Sequence, residues 1–426
     1  MEKGVKTIDD NMNKKQIELL APAGSFECLQ AAIKGGADAV YFGVEQLNMR
    51  ARSVPPFTVE DLKEIRTICK KNNIKAYLTL NTVMFDHDLQ LLQTVLKEVK
   101  RNKIDAVIAA DFAVMEMCRE MNIPLHVSTQ ANISNFSSAK FFSRFADVIV
   151  LARELTLKQV EQISTQIKRK KVLGVSGDLL KLEVFVHGAL CMAVSGKCYL
   201  SLHSENASAN RGACIQNCRR PYKVIDLERN EELVIENEYI MSPKDLCTIN
   251  ILDLVINSGV DVLKIEGRTK GPEYVYTVTK CYREALSAVQ EGTFTQDKID
   301  GWMKELETVY NRGFWEGYYL GRKLGEWTTH PGSAATQKKI YLGKGSKYYP
   351  KIAVGEYLIE SGNLKEGDEI LITSPAFGME KLKMTELFVN GERKPIATKG
   401  DLVTFPFAHK VSAKEKLYKL IDSADA

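Results

Sequence analysis

The sequence has few of the features that would place a protein in a membrane or outside the cell. Its 426 residues include only 3 tryptophans, and no apolar run approaches the roughly 20 residues needed to span a bilayer. The N-terminal segment has no apolar stretch of the kind found in secretory signals. We therefore expect a cytoplasmic protein with no membrane partner, whose cysteines are metal ligands, nucleophiles or buried thiols rather than disulfides.

Several short motifs of catalysis and cofactor binding are also missing. No G-x-G-x-x-G follows the first apolar strand, which argues against a dinucleotide-binding sheet. The H-E-x-x-H pattern of many zinc proteases is absent, and so are the tight C-x₂-C pairs of zinc knuckles. The net charge of +4 permits a nucleic acid as partner without requiring one.

The first two thirds of the chain alternates short β-branched runs with amphipathic helical stretches, which is typical of parallel α/β folds. One phrase recurs, in which an aspartate directly precedes an apolar strand: Asp38, Asp105, Asp147 and Asp261. Eight such units over roughly 250 residues have the size of a (β/α)₈ barrel. The pattern predicts a TIM-like barrel with strands at 17–21, 39–43, 75–81, 106–111, 125–130, 147–152, 183–188 and 262–266.

The chain changes character after residue 330, where helical periodicity stops and short alternating segments separated by glycine turns begin. We predict a barrel domain over 1–330, with a cysteine-rich insertion at 189–247. Helices over 272–291 and 296–310 would complete this domain. Residues 331–426 are predicted to form a small antiparallel β-barrel domain.

Polar residues stand where the predicted strands end, and in a barrel these strand ends meet at one mouth, where substrates bind. The alternative is that strands simply become polar as they emerge into loops. Candidate substrate-binding residues are Asn81, Asp111, Gln130, Arg153 and Glu154, together with Arg211 from the insertion. Candidate catalytic residues are His187, Arg219, Glu266 and Arg268.

Five of the nine cysteines lie between residues 191 and 247, whereas uniform scattering would place about one there. Several thiolates held together need a cation, because their mutual repulsion would otherwise keep them protonated. The wide spacing favours an iron–sulfur cluster over zinc, which stays open as the alternative. The five cysteines are Cys191, Cys198, Cys214, Cys218 and Cys247.

The last of these cysteines follows a helix-start pattern. Ser242 has the character of an N-cap, followed by Pro243 and by an acid at Asp245. The pattern predicts a helix whose first turn carries Cys247, where the helix dipole would favour a thiolate. The alternative is a buried helix cysteine.

Basic side chains flank the cysteines, among them Arg211, Arg219 and Arg220. They could hold a carboxylate or phosphate, or offset the negative charge of the sulfurs. His187 stands four residues before Cys191, which permits a cysteine–histidine nucleophile. A peptidase would also need an orienting group and an oxyanion hole, and the sequence gives no local sign of either.

The phrase from Glu183 to Cys191, EVFVHGALC, and its continuation SGKCYLS resemble peptidase family U32, the collagenase-like proteases. The opening ELLAPAGSFECLQAAIKGGADAVYFG, KIEGR and NRGFWEGYYLG are similar to the family as well, so the resemblance covers nearly the whole chain. The phrase RGACIQNCRRPYKV looks most like the branch that makes 5-hydroxyuridine in tRNA.

The resemblance implies a tRNA hydroxylase, or a component of one, that uses prephenate as donor and a 4Fe–4S cluster. It implies Cys191, Cys198, Cys214 and Cys247 as ligands and leaves open whether Cys218 replaces one of them. The implied partners are tRNA and a small carboxylate co-substrate, and a homo- or hetero-oligomer is allowed. Two rivals remain, a U32-type peptidase and a zinc-stabilised binding protein without catalysis.

Overall fold

The computed structural model describes residues 16–45, 47–49, 57–223, 225–226, 228, 231–232 and 239–425. None of the helices within these ranges is long and apolar enough to cross a membrane.

Strands and helices alternate through the first part of the chain. Apolar strand residues point into the barrel or toward the surrounding helices, and the helices bury one apolar stripe each. The strands are β1 Glu18–Pro22, β2 Ala39–Phe42, β3 Lys75–Leu80, β4 Ala106–Ala109, β5 Leu125–Val127, β6 Val148–Val150 and β7 Lys181–Gly188. The helices are α1 Phe26–Lys34, α2 Leu62–Lys71, α3 Leu89–Arg101, α4 Phe112–Glu120, α5 Phe136–Phe142 and α6 Leu157–Arg169.

An insertion follows β7 and carries little regular structure. Its described elements are α7 Leu200–Glu205, β8 Ile225–Asp226, β9 Glu231–Glu232 and β10 Asp245–Cys247. β8 pairs with β9 as a small hairpin, whereas β10 runs antiparallel to the end of β7.

The barrel closes after the insertion. The remaining elements of this domain are α8 Leu252–Asn257, β11 Val262–Ile265, α9 Pro272–Glu291, α10 Gln296–Glu307 and β12 Phe314–Trp315. β11 pairs in parallel with both β1 and β7, so the eight described strands β1–β7 and β11 form a closed cylinder. The predicted (β/α)₈ architecture is therefore confirmed.

The recurring aspartates have a structural role at the start of the strands. The carboxylate of Asp38 accepts a hydrogen bond from the Leu19 amide at 2.8 Å. Asp105 accepts from Ala76 and Asp261 from Leu182, each at 2.8 Å. These bonds satisfy strand amides that would otherwise be left unpaired at the edge of the barrel. In three of its four occurrences the phrase thus joins neighbouring strands, whereas Asp147 accepts from the amide of Ser176 in a loop.

The C-terminal domain is an antiparallel sheet with its own core around Tyr357 and Ile372. Its strands are β13 Gln337–Tyr349, β14 Val354–Ile359, β15 Asn363–Lys365, β16 Glu369–Ser374, β17 Gly378–Lys383, β18 Phe388–Val389, β19 Glu392–Arg393, β20 Ile396–Thr398, β21 Leu402–Pro406 and β22 Lys416–Asp422. Eight of them pair in the order β17-β16-β22-β13-β14-β21-β18-β19, while β15 and β20 form a separate pair.

The antiparallel prediction is confirmed, and the main sheet has two edge strands, β17 and β19. One of these edges packs on the barrel domain. Met379 of β17 belongs to the same buried cluster as the barrel helices. Gly378 has φ +80° and approaches so closely that a Cβ atom there would stand 2.6 Å from the Ala31 amide nitrogen. β17 thus packs on α1, and in the described residues it does not pair with the other edge strand, β19, to close a small barrel.

Candidate active site at the barrel mouth

A cavity of about 340 Å³ opens at the carboxyl ends of the barrel strands. Its floor is formed by strand residues such as Tyr41, Thr79 and Ile108, and its wall by the insertion. This position is where (β/α)₈ barrels bind their substrates, because loops that follow all eight strands converge there. The cavity therefore defines the candidate site.

Four thiols from the insertion line this one cavity. They are Cys191, Cys198, Cys214 and Cys218. Cys191 is exposed and the other three are half-buried, so all four are open to a ligand. Burial raises the pKa of Cys218, and the nearby cysteines add to this shift.

The thiols suit a soft metal centre by their chemistry, since thiolates are the usual ligands of iron–sulfur clusters and of structural zinc. Within the described ranges, no group of three or more His, Cys, Asp or Glu side chains is drawn close enough to hold a metal ion. The four thiols are thus of the right chemical kind and in the right place for such a metal centre. Their sulfur atoms are not arranged as a formed coordination shell.

The structure places Cys247 elsewhere. It lies in β10, is only 3% exposed, and its Sγ is 3.9 Å from both Met303 Sδ and Tyr282 Oη. Burial raises the pKa of its thiol to about 11. The structure therefore groups Cys218, and not Cys247, with the other three insertion cysteines.

The prediction of a helix that begins at Ser242 is wrong, because Asp245 and Cys247 belong to a strand that pairs with the end of β7. The carboxylate of Asp245 forms a buried ion pair with Arg312 at 3.2 Å, and its Oδ1 accepts from the Arg312 guanidinium. Asp245, which resembled a helix-capping residue in the sequence, is thus held by Arg312, a partner distant in the chain.

Arg219 lines the cavity and also fastens the insertion to the barrel. Its guanidinium donates to Pro243 O at 3.0 Å, to Ser242 Oγ at 3.3 Å and to the Leu190 carbonyl. Burial, and secondarily the neighbouring Arg312, lowers its pKa. Its contacts are those of a residue that positions the loop carrying Cys191.

Arg211, predicted to bind substrate, points away from the cavity. It donates to Val83 O at 2.7 Å and to Asp88 Oδ1 at 3.1 Å, and it stacks on the Phe85 ring at 4.4 Å. The Arg211 hydrogen bond lowers the pKa of Asp88. Arg211 thus ties the insertion to the loop after β3.

His187, predicted to be catalytic, lies behind the cavity wall rather than in it. Its ring is 1% exposed and packs against Tyr274, Tyr282 and Phe314 at centroid distances of 5.9, 5.5 and 5.5 Å. Burial lowers its pKa to about 3, so the ring is neutral at physiological pH. No histidine is found among the described residues that line the cavity.

Most of the other predicted strand-end residues do line the cavity: Asn81, Gln130, Arg153, Glu266 and Arg268. Asp111 instead caps helix α4 by accepting from the Ala113 amide at 2.8 Å, and it lines a smaller pocket beside the cavity. Glu154 is exposed and lies outside the main cavity. Most of the polar strand ends thus lie at the mouth, and the exceptions are Asp111, Glu154 and His187.

The cavity wall carries more positive than negative charge. Its described lining includes one acidic residue, Glu266, whose Oε2 accepts from Tyr41 Oη at 3.1 Å. The basic residues of the lining are Arg153, Arg219, Lys264, Arg268, Lys270 and Arg312. A concave site with such a surplus favours an anionic ligand.

Sequence reasoning missed a buried charge network beneath the cavity floor. Lys264 Nζ lies 2.6 Å from Glu183 Oε1, and both side chains are at most 5% exposed. His126 Nδ1 lies 3.7 Å from the other oxygen of Glu183. Burial by itself would raise the pKa of Glu183, but Lys264 and His126 outweigh it and hold that pKa below its usual value. The available signal was a lysine inside an apolar strand, since lysine is rarely buried without a partner.

Fold and cavity together define a (β/α)₈-barrel protein whose mouth combines a group of thiols with a wall rich in basic side chains. Residues 24–329 match the model of peptidase family U32. The chain belongs to this family, which confirms the resemblance seen in the sequence.

Relatives of this chain bear different names. It is 52% identical over 408 residues to a protein named collagenase from Porphyromonas gingivalis, covering 96% of this chain and 99% of that protein. It is 34% identical over 316 residues to tRNA hydroxylation protein P1 of Bacillus subtilis, covering 72% of each. It is 35% identical over 284 residues to the 23S rRNA 5-hydroxycytidine C2501 synthase of Escherichia coli, covering 66% of this chain and 41% of that one.

Proposed function

We propose that this protein hydroxylates a pyrimidine base in RNA, and specifically converts the wobble uridine of tRNA to 5-hydroxyuridine. The observation that carries the proposal is that four thiols and six basic side chains line one cavity at the barrel mouth. Relatives named for tRNA hydroxylation and for 5-hydroxycytidine synthesis in rRNA support a base in RNA as the substrate.

The thiols of Cys191, Cys198, Cys214 and Cys218 are proposed to hold a 4Fe–4S cluster. Hydroxylation at C5 replaces a C–H bond by a C–OH bond and removes two electrons from the base. The step balances if the donor co-substrate gives up its hydroxyl oxygen and its C–OH becomes C–H, because the donor is then reduced by the same two electrons. A bound cluster would supply electron transfer for that oxidation. The proposal exchanges Cys247 for Cys218, because the structure places Cys218 on the cavity wall and Cys247 in the core.

The basic wall is proposed to bind the carboxylate co-substrate. Prephenate, the donor that the family resemblance implies, carries two carboxylates, and guanidinium groups bind carboxylates with paired hydrogen bonds. Arg268 is 6% exposed and is held at the floor by Thr79 Oγ1 at 2.6 Å. Lys264 Nζ is held in place by Glu183 Oε1 at 2.6 Å. Both cations are therefore fixed before a ligand arrives, which lowers the cost of binding.

A peptidase is the second candidate, because the 52% identical relative is named collagenase. The cavity geometry supports it less well. A cysteine or serine nucleophile needs a base within hydrogen-bond reach, and the described lining offers no histidine. An aspartic mechanism needs two neighbouring carboxyls, and the described lining contains one acidic residue.

The test compares Cys218→Ala with Cys247→Ala after anaerobic purification. We expect wild-type protein to contain iron and sulfide and to restore 5-hydroxyuridine-derived nucleosides in a deletion strain, as measured by mass spectrometry of tRNA. Cys218→Ala should lose the iron and lower the modification by about 100-fold or more. Mutation of a residue that hydrogen-bonds a metal ligand lowers activity by up to about 100-fold, and loss of the ligand itself should cost at least as much. Cys247→Ala should retain both.

Cys118→Ala, which removes a buried thiol from helix α4, serves as a control for damage to the core. Stoichiometric zinc in a colourless sample would instead support a zinc-stabilised binding protein. Hydrolysis of collagen that is inhibited by thiol-modifying reagents and that survives removal of the metal would support the peptidase.

A further inference from the structure

A smaller pocket of about 220 Å³ lies beside the main cavity and shares part of its wall. Four residues line both spaces: Met49, Asn81, Gln130 and Gly196. The rest of the smaller pocket is formed by the loops after β3 and β4 and by the insertion. We call it the side pocket. A ligand held in the main cavity could extend into it without crossing the protein core.

Two polar atoms in the side pocket need a partner. The Thr82 side chain is 2% exposed, and its Oγ1 has no hydrogen-bond partner among the described residues. The Oδ1 atom of Asn210 is also buried without a partner in the described part of the chain. Unsatisfied buried polar atoms are rare because each costs free energy. Both atoms belong to residues that line one pocket, and a ligand with hydrogen-bonding groups there would satisfy them once the two side chains turn toward it.

The rim of the side pocket carries an exposed ring and a lysine, and its one acid, Asp111, already accepts hydrogen bonds from the Ala113 and Met84 amides. Phe112 is 66% exposed and Val83 is 42% exposed, so both apolar side chains face solvent at the pocket. Lys197, which comes from the insertion, is exposed at the same pocket. An exposed ring, buried hydrogen-bonding atoms and a cation are the combination by which proteins bind unstacked bases in single-stranded RNA.

We propose that the side pocket receives the nucleobase next to the target uridine, stacked against Phe112 and hydrogen-bonded by Thr82 and Asn210. This inference rests on the proposed RNA hydroxylation. The target base would enter the main cavity, and its neighbour would fill the adjoining space across the shared wall. Lys197 would contact the phosphate of the same nucleotide. The side pocket thereby selects RNA in which two consecutive bases are unstacked, as occurs in loops and not in duplexes.

The test uses stem–loop RNAs that carry the fluorescent base 2-aminopurine immediately 5′ or 3′ of the target uridine. Stacking on an aromatic ring changes 2-aminopurine emission, so one of the two positions should respond when the wild-type holoprotein binds. Phe112→Ala should abolish that response and weaken binding of the RNA by roughly tenfold or more. Phe141→Ala removes a ring that is 44% exposed on helix α5, outside these pockets, and should change neither.

Substitutions at Thr82 separate ligand binding from stability. Thr82→Val keeps the shape and removes the hydroxyl, so we expect weaker RNA binding, and Thr82→Ser should restore it. If Thr82→Val altered only thermal stability, a bound water would be the partner and the proposal would be overturned.

Two further outcomes are distinguishable. Wild-type protein that hydroxylates RNA, with no 2-aminopurine response at either position and normal binding by Phe112→Ala, would overturn the side pocket and leave the proposed function intact. Wild-type protein that neither binds nor hydroxylates the stem–loop would overturn both.

Discussion

The nine cysteines of this protein fall into two groups whose environments are opposite. Cys191, Cys198, Cys214 and Cys218 line the cavity at the barrel mouth, where they are exposed or half-buried. The core group is buried and consists of Cys28, Cys69, Cys118, Cys247 and Cys281. Burial raises the pKa of Cys28 and Cys247 to about 11 and that of Cys69 and Cys118 to about 12, and it raises the pKa of Cys281 further.

Position in the chain is a poor guide to the state of a thiol. Cys247 is close in sequence to the cavity cysteines, yet its surroundings are those of Cys69 and Cys118. A core thiol stays protonated and acts as a small apolar side chain, whereas a thiol at the mouth is available to a metal or an electrophile.

Alkylation of iron-free protein with iodoacetamide at pH 8 should separate the two groups most strongly. A thiol with a pKa of about 12 presents about 1,000-fold less thiolate than one with the ordinary value of 9, because each pKa unit is a factor of ten. Peptide mass spectrometry should find label at the four mouth cysteines long before the core group. Early labelling of Cys247 would return it to the candidate ligands.

Serine substitution should produce the next largest difference. Cys118→Ser places a hydroxyl at a site that is 0% exposed, and we expect a loss of about 1–3 kcal/mol in the free energy of unfolding. Cys191→Ser, at an exposed site, should change that free energy by less than about 0.5 kcal/mol. Urea denaturation of the iron-free proteins measures both. Equal losses of unfolding free energy in the two variants would contradict the division of the cysteines into a mouth group and a core group.

The last expected difference is in alkaline stability. The folded-state pKa of Cys69 is raised to about 12, so above pH 9 the unfolded state loses this proton first and stability falls as the pH rises. The contribution is about 1.4 kcal/mol per pH unit. Cys69→Ala should therefore make the decline between pH 9 and 10.5 shallower, whereas Cys191→Ala should leave it unchanged. Parallel curves for wild type and Cys69→Ala would show that Cys69 ionises normally.

The barrel could be predicted from local patterns because each βα unit repeats the same signals. An apolar run, a helix cap and an aspartate before the strand are encoded within a few residues, as at Asp38 and Asp105. The clustering of cysteines in the insertion was visible for a similar reason, although the predicted ligand set had Cys247 where the cavity lining has Cys218.

What the sequence did not reveal depends on distant partners. The Ser242 to Asp245 pattern has the letters of a helix start, but the pairing of β10 with β7 decided the outcome. Glu183 and Lys264 are 81 residues apart, and only barrel closure shows that they meet. The domain boundary at 330, the cluster and the cytoplasmic location remain predictions.

The order of strands has a consequence for how the protein is made on the ribosome. β11 is hydrogen-bonded to both β1 and β7, and the whole insertion separates it from β7 in the chain. The cylinder therefore cannot close until the segment with the four mouth thiols has already been synthesised. Late closure leaves a time window in which these sulfurs are carried by an open sheet of seven strands, before the wall around them is complete.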